Sequence, residues 1–459
     1  MRSQTMIERI VLFGASGDLT ARLLMPAIAQ LAEAELLPRG LEIVGSSNVE
    51  WSTDDFRRHI AGALDEHAPD VAPIARDAAI AMLSYRTADV TEPKDVRGVI
   101  GDDRGPTLVY LALPTGLLDA VLPALTACGL GDSDAVAIEK PFGTDLASAR
   151  YLNEILHGQM PQPTVFRVDH FLSSELVRRV IAVRFLNRVF EPTWNAVHVE
   201  RVDICWLEAL TLEGRASYYD KAGALKDMIQ NHLMEAMALV LMEPPARLDA
   251  DSFRGARVEA LRAVSTPSAD RVRDQTVRAR YEAGTIGSRQ VPSYVDEPGV
   301  DPSRGTETYA AVTLEIDSAR WAGVPFTLRS GKAMAADSAE IAVHFRALPG
   351  YLRERWPGIE QNVLRLGLMQ PDLGLRVTLN AGDRKVEGRD LELQSSEERR
   401  APYANLLLEM LRCDPTLFIR GDEAEEAWRI IDPVVAGWSG GEVPLQGYPA
   451  GGPPPEVAG

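Results

Sequence analysis

One stretch near the start of the chain decides the fold, and it reads Ile10-Val-Leu-Phe-Gly14-Ala-Ser-Gly17-Asp-Leu19. Its apolar residues predict a buried strand, its glycines predict a tight turn, and the apolar spacing that follows predicts a helix over residues 19–34. Backbone N–H groups at such a helix start can hold a pyrophosphate group. The dinucleotide-binding candidates are therefore Gly14, Ala15, Ser16, Gly17, Asp18 and Leu19. An ordinary strand-to-helix turn, with Asp18 as the helix cap, remains the alternative.

Short apolar runs alternate with helical patterns through the first third of the chain. Strands are predicted at 41–45, 107–113 and 135–139, and a helix is predicted over 56–63. This alternation is typical of a doubly wound parallel sheet that is covered by helices on both faces. We therefore predict an α/β, Rossmann-like dinucleotide-binding domain over residues 1–171.

The pattern changes after residue 171. It predicts helices at 175–185, 222–242, 403–412 and 422–431, and strands at 197–206 and through most of 258–393. Segregation of helices from strands is typical of an α+β domain, here with a large, mainly antiparallel sheet. We assign residues 172–459 to a substrate-binding and oligomerisation domain.

Composition and charge exclude several classes of function. The chain has 459 residues and a formal net charge of −18. Nucleic acids and anionic membranes both select basic surfaces, so neither is a predicted partner. Cys128, Cys205 and Cys413 lack metal-ligand spacing, which predicts no metal site and indicates structural thiols in a reducing compartment. Because no apolar run reaches about 18 residues, the sequence predicts a cytoplasmic protein.

Ligands of a parallel sheet bind at the carboxyl ends of its strands, and two candidates follow predicted strands there. Glu139-Lys140-Pro141 ends the strand at 135–139, and Lys140 is a candidate contact for a sugar hydroxyl and for the cofactor. Pro114 follows the strand at 107–113 and is a second cofactor candidate. A surface ion pair is the alternative interpretation of Lys140.

One histidine, His232, lies close to the apolar stripe of the helix predicted over 222–242. The pattern alone favours a core histidine with satisfied hydrogen bonds. The Asp169-His170 pair, between a strand and a helix, is chemically plausible as an orienting or binding pair.

Several runs of sequence together resemble the glucose-6-phosphate dehydrogenase family across residues 8–450. The main runs are Gly14-Ala-Ser-Gly-Asp-Leu19, Phe166-Arg-Val-Asp169-His170, Arg184-Phe-Leu-Asn187, Gln230-Asn-His232, Arg329-Ser-Gly-Lys332 and Asp414-Pro-Thr-Leu-Phe418. The resemblance implies an enzyme that oxidises C1 of a sugar hemiacetal to a lactone. It implies NAD or NADP as the cofactor, and a homodimer or homotetramer.

The resemblance also implies roles for individual residues. His232 matches the general base that removes the proton of the C1 hydroxyl, and Asp169 matches the carboxylate that orients it; imidazole suits this role because it titrates near neutral pH. The residues that match substrate contacts are Lys140, His170, Glu208, Asp227 and Lys332. Asn48 lies where NADP-using members usually have an arginine, which favours NAD, unless it is a surface residue without a ligand role.

The sequence departs from the family where the sugar phosphate is bound. Phe171 replaces a tyrosine, Ser174 replaces a lysine, and Asp337 replaces a basic residue. Hydrogen bonds to charged groups contribute about 1.5–3 kcal/mol each, so these changes predict weak binding of a phosphate dianion. Arg178 lies one helical turn after Ser174 and offers partial compensation, unless it lies on a solvated helix face. The expected substrate is an unphosphorylated or modified hexose, or glucose 6-phosphate held differently.

Two other classes of function stay open. A non-catalytic paralogue that acts through assembly is favoured by Leu23, which replaces a family lysine, and by Ser174. The intact Asp169, His232 and Lys140 count against it. A sugar oxidoreductase acting at another carbon would share the Glu-Lys-Pro segment, but the Gln-Asn-His run counts against that reading.

Overall fold

The chain forms two compact units, each assembled from separate segments. The first contains Met1–Glu175, Arg247–Arg254 and Glu398–Ala424, and the second contains Leu176–Ala246, Gly255–Glu397 and Glu425–Gly459. The structure, a computed structural model, describes residues 6–102, 104–159, 164–169, 171, 175–214, 216–368, 374–382, 385–394 and 401–455. A domain boundary at residue 171 stays a prediction.

In the described part of the first unit, six parallel strands form the sheet. They are β1 (Arg9–Phe13), β2 (Glu42–Ser47), β3 (Leu83–Thr87), β4 (Thr107–Leu111), β5 (Ala135–Glu139) and β6 (Thr164–Val168). Their order across the sheet is β3-β2-β1-β4-β5-β6, and neighbouring strands are parallel throughout. The reversal of order between β1 and β4 creates a crevice at the carboxyl ends of the strands, where doubly wound folds bind ligands. The predicted Rossmann-like fold is confirmed.

Helices pack against this sheet because its strands are apolar. Those of the first unit are Thr20–Leu24, Met25–Glu33, Thr53–His67, Pro73–Ala81, Pro93–Ile100, Leu118–Thr126, Leu146–Gln159 and Pro402–Leu411. Strand residues such as Ile10 and Ile43 share one core with helix residues such as Ile28 and Leu407. Full burial of one such side chain contributes about 1.5–3 kcal/mol. The late helix Pro402–Leu411 therefore stabilises the N-terminal sheet.

The first helix differs from the single helix predicted over 19–34. A π-helical turn, Thr20–Leu24, precedes the α-helix Met25–Glu33. Pro26 lies in the first turn of the α-helix, where a proline needs no N–H partner. Apolar spacing identifies the buried face of a helix, but it does not distinguish π from α hydrogen bonding.

A mainly antiparallel sheet dominates the second unit. The strands of this unit are β7 (Val199–Leu207), β8 (Thr276–Glu282), β9 (Gly284–Ile286), β10 (Arg289–Val291), β11 (Tyr309–Leu314), β12 (Phe326–Gly331), β13 (Ser338–Phe345), β14 (Val363–Gly367), β15 (Gly374–Ala381), β16 (Glu387–Gln394) and β17 (Leu445–Pro449). Among described residues the large sheet has nine strands, in the order β16-β15-β14-β13-β7-β12-β11-β8-β17, while β9 and β10 pair separately. The pairs β7–β12 and β8–β17 are parallel, and the others are antiparallel. The predicted large antiparallel sheet is confirmed.

The long helix predicted over 222–242 is broken into shorter pieces. The remaining α- and π-helices of the described chain are Glu175–Phe185, Ala216–Ala224, Leu225–Leu233, Met234–Leu241, Ala250–Arg262, Ala269–Gln275, Gly350–Arg355 and Gly421–Ser439. The break occurs at Gly223, whose φ is +67°. A Cβ atom there would lie 2.2 Å from Glu307 Oε1, so glycine is required.

Helices also replace part of the region that was predicted to be mostly strands. Ala250–Arg262 and Ala269–Gln275 are helical. Alanine and arginine, which recur in both segments, are strong helix formers. Their local preference decides the structure before the first strand of this region, β8, begins.

Cys128, Cys205 and Cys413 are free cysteines, and burial raises the pKa of each thiol. A raised pKa disfavours the reactive thiolate. No helix that the described residues form has both the length and the apolar character needed to cross a membrane.

Candidate active site

The turn after β1 places the start of a helix at the carboxyl ends of the parallel strands. Gly14 has a φ of +84°, and a Cβ atom there would lie 2.1 Å from the carbonyl oxygen of Ala112. Glycine therefore lets the turn approach the segment after β4. The N–H groups of Gly14 and Ala15 donate to the Ser46 carbonyl at 2.9 and 3.0 Å. These two residues fasten the turn to β2, and their N–H groups are not donors for a pyrophosphate.

Other N–H groups of this turn suit an anionic ligand. Among the hydrogen bonds between described residues, none uses the N–H groups of Ser16, Asp18 or Leu19. Gly17 and Asp18 are exposed, and Ser16 is half-buried. Unpaired N–H groups at a helix start attract negative charge. The Gly17 N–H donates to the Gly14 carbonyl at 3.0 Å, so the close approach at Gly14 and the donors of Ser16, Asp18 and Leu19 fit the pyrophosphate of a dinucleotide.

Asn48 is exposed at the end of β2. Its neighbours are held in place, because Ser47 Oγ lies 2.8 Å from the Tyr85 hydroxyl and that hydroxyl donates to the Val49 carbonyl at 2.8 Å. In Rossmann folds this region meets the ribose of the cofactor. A neutral amide can bond to ribose hydroxyls, but it supplies no positive charge for a 2′-phosphate.

Pro114 and Lys140 lie after β4 and β5. Pro114 is exposed, and its carbonyl accepts a hydrogen bond from Leu117 N at 2.9 Å. Lys140 is half-buried. Because all strands of this sheet run parallel, both residues lie at the same edge as the turn after β1 and as Asn48. The fold thus gathers the predicted cofactor residues at one edge of the first unit.

Glu139, next to Lys140, is half-buried between two tyrosines that sequence reasoning missed. The Tyr110 hydroxyl donates to Glu139 Oε1, and the Tyr403 hydroxyl donates to the same oxygen at 3.2 Å. Burial raises the pKa of Glu139 to about 7, although the two hydrogen bonds lower it. The charge of Asp169 raises this pKa further. Tyr403 is 264 positions away, so no local motif identifies it.

Asp169 follows β6 and is buried, with 1% of its surface exposed. Its Oδ1 accepts a hydrogen bond from Phe171 N at 2.8 Å, which closes a tight turn. Phe171 is buried too. His170 and Ser174 lie outside the described residues. The turn thus holds the Asp169 carboxylate in one orientation.

In the second unit, Glu208 and Lys332 form an ion pair at the ends of two parallel strands. β7 and β12 pair with Leu207 opposite Gly331, so the residues that follow leave the sheet side by side. Lys332 Nζ donates to Glu208 Oε2 at 2.7 Å. Only 12% of the lysine side chain and 20% of the glutamate side chain are exposed. The fold therefore brings together two predicted sugar contacts that are 124 positions apart.

Tyr219 extends this pair, and sequence reasoning did not assign it a role. Lys332 Nζ lies 5.3 Å from the centre of its ring, where a cation is attracted to the aromatic face. Burial raises the pKa of Tyr219 well above its ordinary value, and the charge of Asp227 adds to this effect. The signal in the sequence that could have identified Tyr219 is a tyrosine close to an apolar helical pattern, but such tyrosines are common in protein cores.

Asp227 and His232 lie on the π-helical segment Leu225–Leu233. π-Helical hydrogen bonds join residues five positions apart, so these two side chains occupy neighbouring positions on the helix surface. They are 7% and 4% exposed. The strands β7 and β12 pack against this segment. Single π-helical turns are frequent at functional sites, which agrees with the predicted roles of both residues.

The surroundings of Asp337 and Arg178 are relevant to the prediction that a sugar phosphate binds weakly. Asp337 is exposed, and its Oδ1 accepts a hydrogen bond from Ala209 N at 2.7 Å. Asp337 therefore fastens the loop that begins with Glu208. Arg178 is exposed on the helix Glu175–Phe185.

The two units carry the groups that oxidation of a sugar carbon requires. The first supplies donors for an anionic cofactor at a helix start. In the second, Glu208 and Asp227 supply acceptors for sugar hydroxyls, and Lys332 supplies a donor. His232 supplies an imidazole, a group that can accept and donate a proton.

Two family models match the chain. The model "Glucose-6-phosphate dehydrogenase, NAD binding domain" matches residues 11–179, and "Glucose-6-phosphate dehydrogenase, C-terminal domain" matches residues 181–459. The glucose-6-phosphate 1-dehydrogenase of Treponema pallidum is 37% identical over 98% of this chain and 92% of its own length.

Solved structures agree with these matches. A glucose-6-phosphate dehydrogenase in complex with its substrate glucose-6-phosphate has a TM-score of 0.88 and 28% identity, over 99% of this chain and 97% of that chain. The glucose-6-phosphate 1-dehydrogenase from Mycobacterium avium has a TM-score of 0.87 and 31% identity, over 99% of this chain and 96% of that chain. The similarity thus extends over both units.

Proposed function

The chain belongs to the glucose-6-phosphate dehydrogenase family and is an NAD(P)-dependent sugar dehydrogenase acting on a CH–OH group, and we propose that its substrate is glucose 6-phosphate. The reaction removes a hydride from C1 and leaves a lactone. One observation carries the proposal: the Glu208–Lys332 pair ends two strands that pack against the helix bearing Asp227 and His232. The relative solved with glucose-6-phosphate supports the choice of substrate.

His232 is the general base of this proposal. Its neutral imidazole takes the proton of the C1 hydroxyl as the hydride departs. The nicotinamide, when bound, supplies the hydride acceptor. The imidazolium that forms needs a negative partner, and Asp169 fills this positioning role because its carboxylate is buried and held by its own turn.

The remaining polar residues bind the sugar. Lys332 donates to a hydroxyl, while Glu208 and Asp227 accept from hydroxyl groups. Lys140, at the end of β5, contacts both the sugar and the cofactor. The ion pair between Lys332 and Glu208 holds both side chains in place before the sugar arrives, so little reorganisation is needed on binding.

NAD is the favoured cofactor in this proposal. Asn48 is exposed on a fastened turn and offers no positive charge to a 2′-phosphate. The N–H groups of Ser16, Asp18 and Leu19 serve the pyrophosphate, which both cofactors share. The ratio of kcat/KM for NAD to that for NADP tests the preference.

The phosphate end of the pocket favours a second candidate substrate, a hexose without the 6-phosphate. Phe171 has no hydroxyl to offer a phosphate, and Asp337 is acidic. The hydrogen bond from Ala209 N to Asp337 argues the other way, because it gives the carboxylate a structural role. Glucose 6-phosphate therefore remains the first candidate.

Self-association as a homodimer or homotetramer is a further part of the proposal. Leu379, Leu391 and Leu393 on β15 and β16 are 41%, 61% and 69% exposed. Clustered exposed leucines mark interaction surfaces. Light scattering of the purified chain measures the assembly, and a monomer at all concentrations would exclude it.

A panel of aldoses tests the substrate assignment. Glucose 6-phosphate, glucose and other phosphorylated and free aldoses are each assayed with NAD and NADP at the absorbance band of the reduced nicotinamide. We expect the highest kcat/KM with glucose 6-phosphate. A higher value with glucose would establish the second candidate instead. Absence of turnover with every aldose would overturn the enzymatic proposal in favour of a non-catalytic paralogue.

A further inference from the structure

The second unit contains a cavity that none of the predicted site residues lines. It has a volume of about 370 Å³. Its charged lining residues are Lys221, Lys226, Arg278, Arg304, Asp220 and Glu307. We call it the basic cavity. Small-molecule sites in proteins typically have volumes of about 300–1,000 Å³, so this cavity has the size of a site for a compact ligand.

Tertiary folding creates the basic cavity from distant parts of the chain. Lys221 lies on the helix Ala216–Ala224, and Arg278 lies on β8. Arg304 ends a short 3₁₀ turn, and Trp438 comes from the helix Gly421–Ser439. Since these elements belong to one unit, their side chains converge on a defined volume.

The carboxylates of the cavity engage only part of its positive charge. Arg304 Nε lies 3.4 Å from Asp220 Oδ2 and 3.3 Å from Asp301 Oδ2, so this guanidinium is paired with carboxylates. Arg278 Nε donates to the carbonyl of Val443 at 2.9 Å, which is a neutral partner. Within the described chain, Lys221 forms no ion pair with a carboxylate.

Glu307 neutralises only part of this charge. Its Oε1 accepts a hydrogen bond from Leu225 N at 3.0 Å. Burial raises the pKa of Glu307 to about 7, although that hydrogen bond and the charges of Arg278 and Lys226 lower it. Near neutral pH the carboxyl group is therefore partly protonated. The basic groups outnumber the negative charges in the cavity, within a chain whose net charge is −18.

We propose that the basic cavity binds a small phosphate-bearing metabolite. Lysine and arginine together bind phosphate through several charge-assisted hydrogen bonds, which neutral ligands cannot replace. Trp438 is buried in the wall and lies 6.0 Å from the Arg278 guanidinium, so an apolar surface adjoins the cations. An anion in the cavity relieves the repulsion between these cations, which is why phosphate is favoured over a neutral sugar.

Binding of inorganic pyrophosphate tests the proposal without requiring turnover. Isothermal titration calorimetry on the full chain, at constant ionic strength, compares the wild type with Lys221→Gln. The expected result is binding by the wild type that Lys221→Gln weakens by about tenfold or more, since a charge-assisted bond is lost. Lys94→Gln removes an exposed lysine of the first unit and serves as the matched control, with unchanged affinity.

A second variant keeps the test valid should Lys221→Gln misfold. Ser439 is exposed on the cavity wall, and Ser439→Asp adds a negative charge there, so it too must weaken pyrophosphate binding. Each titration is repeated with saturating NADP and, separately, with saturating glucose 6-phosphate. Persistence of binding in both supports the basic cavity. The proposal is overturned if the wild type binds no pyrophosphate or if both variants bind like the wild type.

Discussion

Lys332 Nζ lies 2.7 Å from Glu208 Oε2 because β7 and β12 are parallel and end at the same level. The pair is mostly shielded from solvent, so each charge stabilises the other before a sugar binds. A hydroxyl that enters between them exchanges one hydrogen bond for another. The site is thus organised in advance, which lowers the cost of orienting the substrate.

Replacement of Lys332 by glutamine should weaken sugar binding. Lys332→Gln removes a charged donor, so KM for glucose 6-phosphate is expected to rise by about tenfold or more, while KM for the cofactor changes little. Steady-state kinetics with each substrate varied in turn measures both constants. Lys385→Gln, at an exposed lysine in the loop between β15 and β16, is the control. An unchanged sugar KM in Lys332→Gln would refute the assigned contact.

Loss of the imidazole should slow the chemical step and spare the cofactor site. His232→Asn is expected to lower kcat by about 100-fold or more, because a general base contributes that much. Cofactor affinity, followed by fluorescence quenching, should stay nearly constant. His198→Asn, at an exposed histidine, is the matched control. Near-normal turnover of His232→Asn, on a substrate that the wild type uses well, would contradict the role of general base.

Cofactor preference should respond to a charge at the end of β2. Asn48→Arg adds a cation for the 2′-phosphate, so the ratio of kcat/KM for NADP to that for NAD should rise by about tenfold or more. Asn48→Gln keeps the neutral amide and should leave the ratio unchanged. A strong preference of the wild type for NADP would show that another basic residue makes the contact, and Arg22, exposed on the first helix, is the first to examine.

The phosphate hypothesis is tested by restoring positive charge. Ser174→Lys combined with Asp337→Lys should lower KM for glucose 6-phosphate if the lost lysines limit binding. Asp337→Asn keeps an acceptor for Ala209 N and controls for the loss of that hydrogen bond. A wild type that already binds glucose 6-phosphate in the micromolar range, with no gain in the double variant, would show that the phosphate is held by other residues.

Glu139 should make stability depend on pH. Its pKa in the folded chain is about 7, above the ordinary value of 4.5. Between these two pH values the folded state holds a proton that the unfolded state releases. The protonated carboxyl group therefore stabilises the folded state fully below pH 4.5, and this stabilisation is lost as the pH rises through 7. Glu139→Gln removes the effect. The free energy of unfolding of Glu139→Gln, minus that of the wild type, should increase by about 3 kcal/mol between pH 4.5 and pH 8.

Urea unfolding of both proteins across this pH range measures the difference. Glu354→Gln, at an exposed carboxylate, should show a difference from the wild type that does not change with pH. A constant difference for Glu139→Gln as well would mean that Glu139 is ionised throughout the range, with Tyr110 and Tyr403 satisfying its charge.

Continuous apolar runs made much of the fold predictable. The strand Ala135–Glu139 and the helix Glu175–Phe185 have the predicted bounds, because apolar spacing and element length are unambiguous there. The π-helical segment Leu225–Leu233 and the break at Gly223 were not predicted. Glu307, which lies far along the chain, packs against Gly223 and accepts a hydrogen bond from Leu225 N at the start of that segment.

By itself the sequence determined the parallel-sheet unit and the glycine turn at Gly14. Both follow from spacing within a few residues, since local periodicity reflects which face of an element is buried. Asp169 and His232 were singled out by the resemblance to a known family. Only the tertiary structure decided that Lys332 meets Glu208, that Tyr403 bonds to Glu139, and that four basic side chains line one cavity. Such contacts are set by strand register and core packing. Register and packing depend on the whole chain, because all buried surfaces must pack together in the same folded structure.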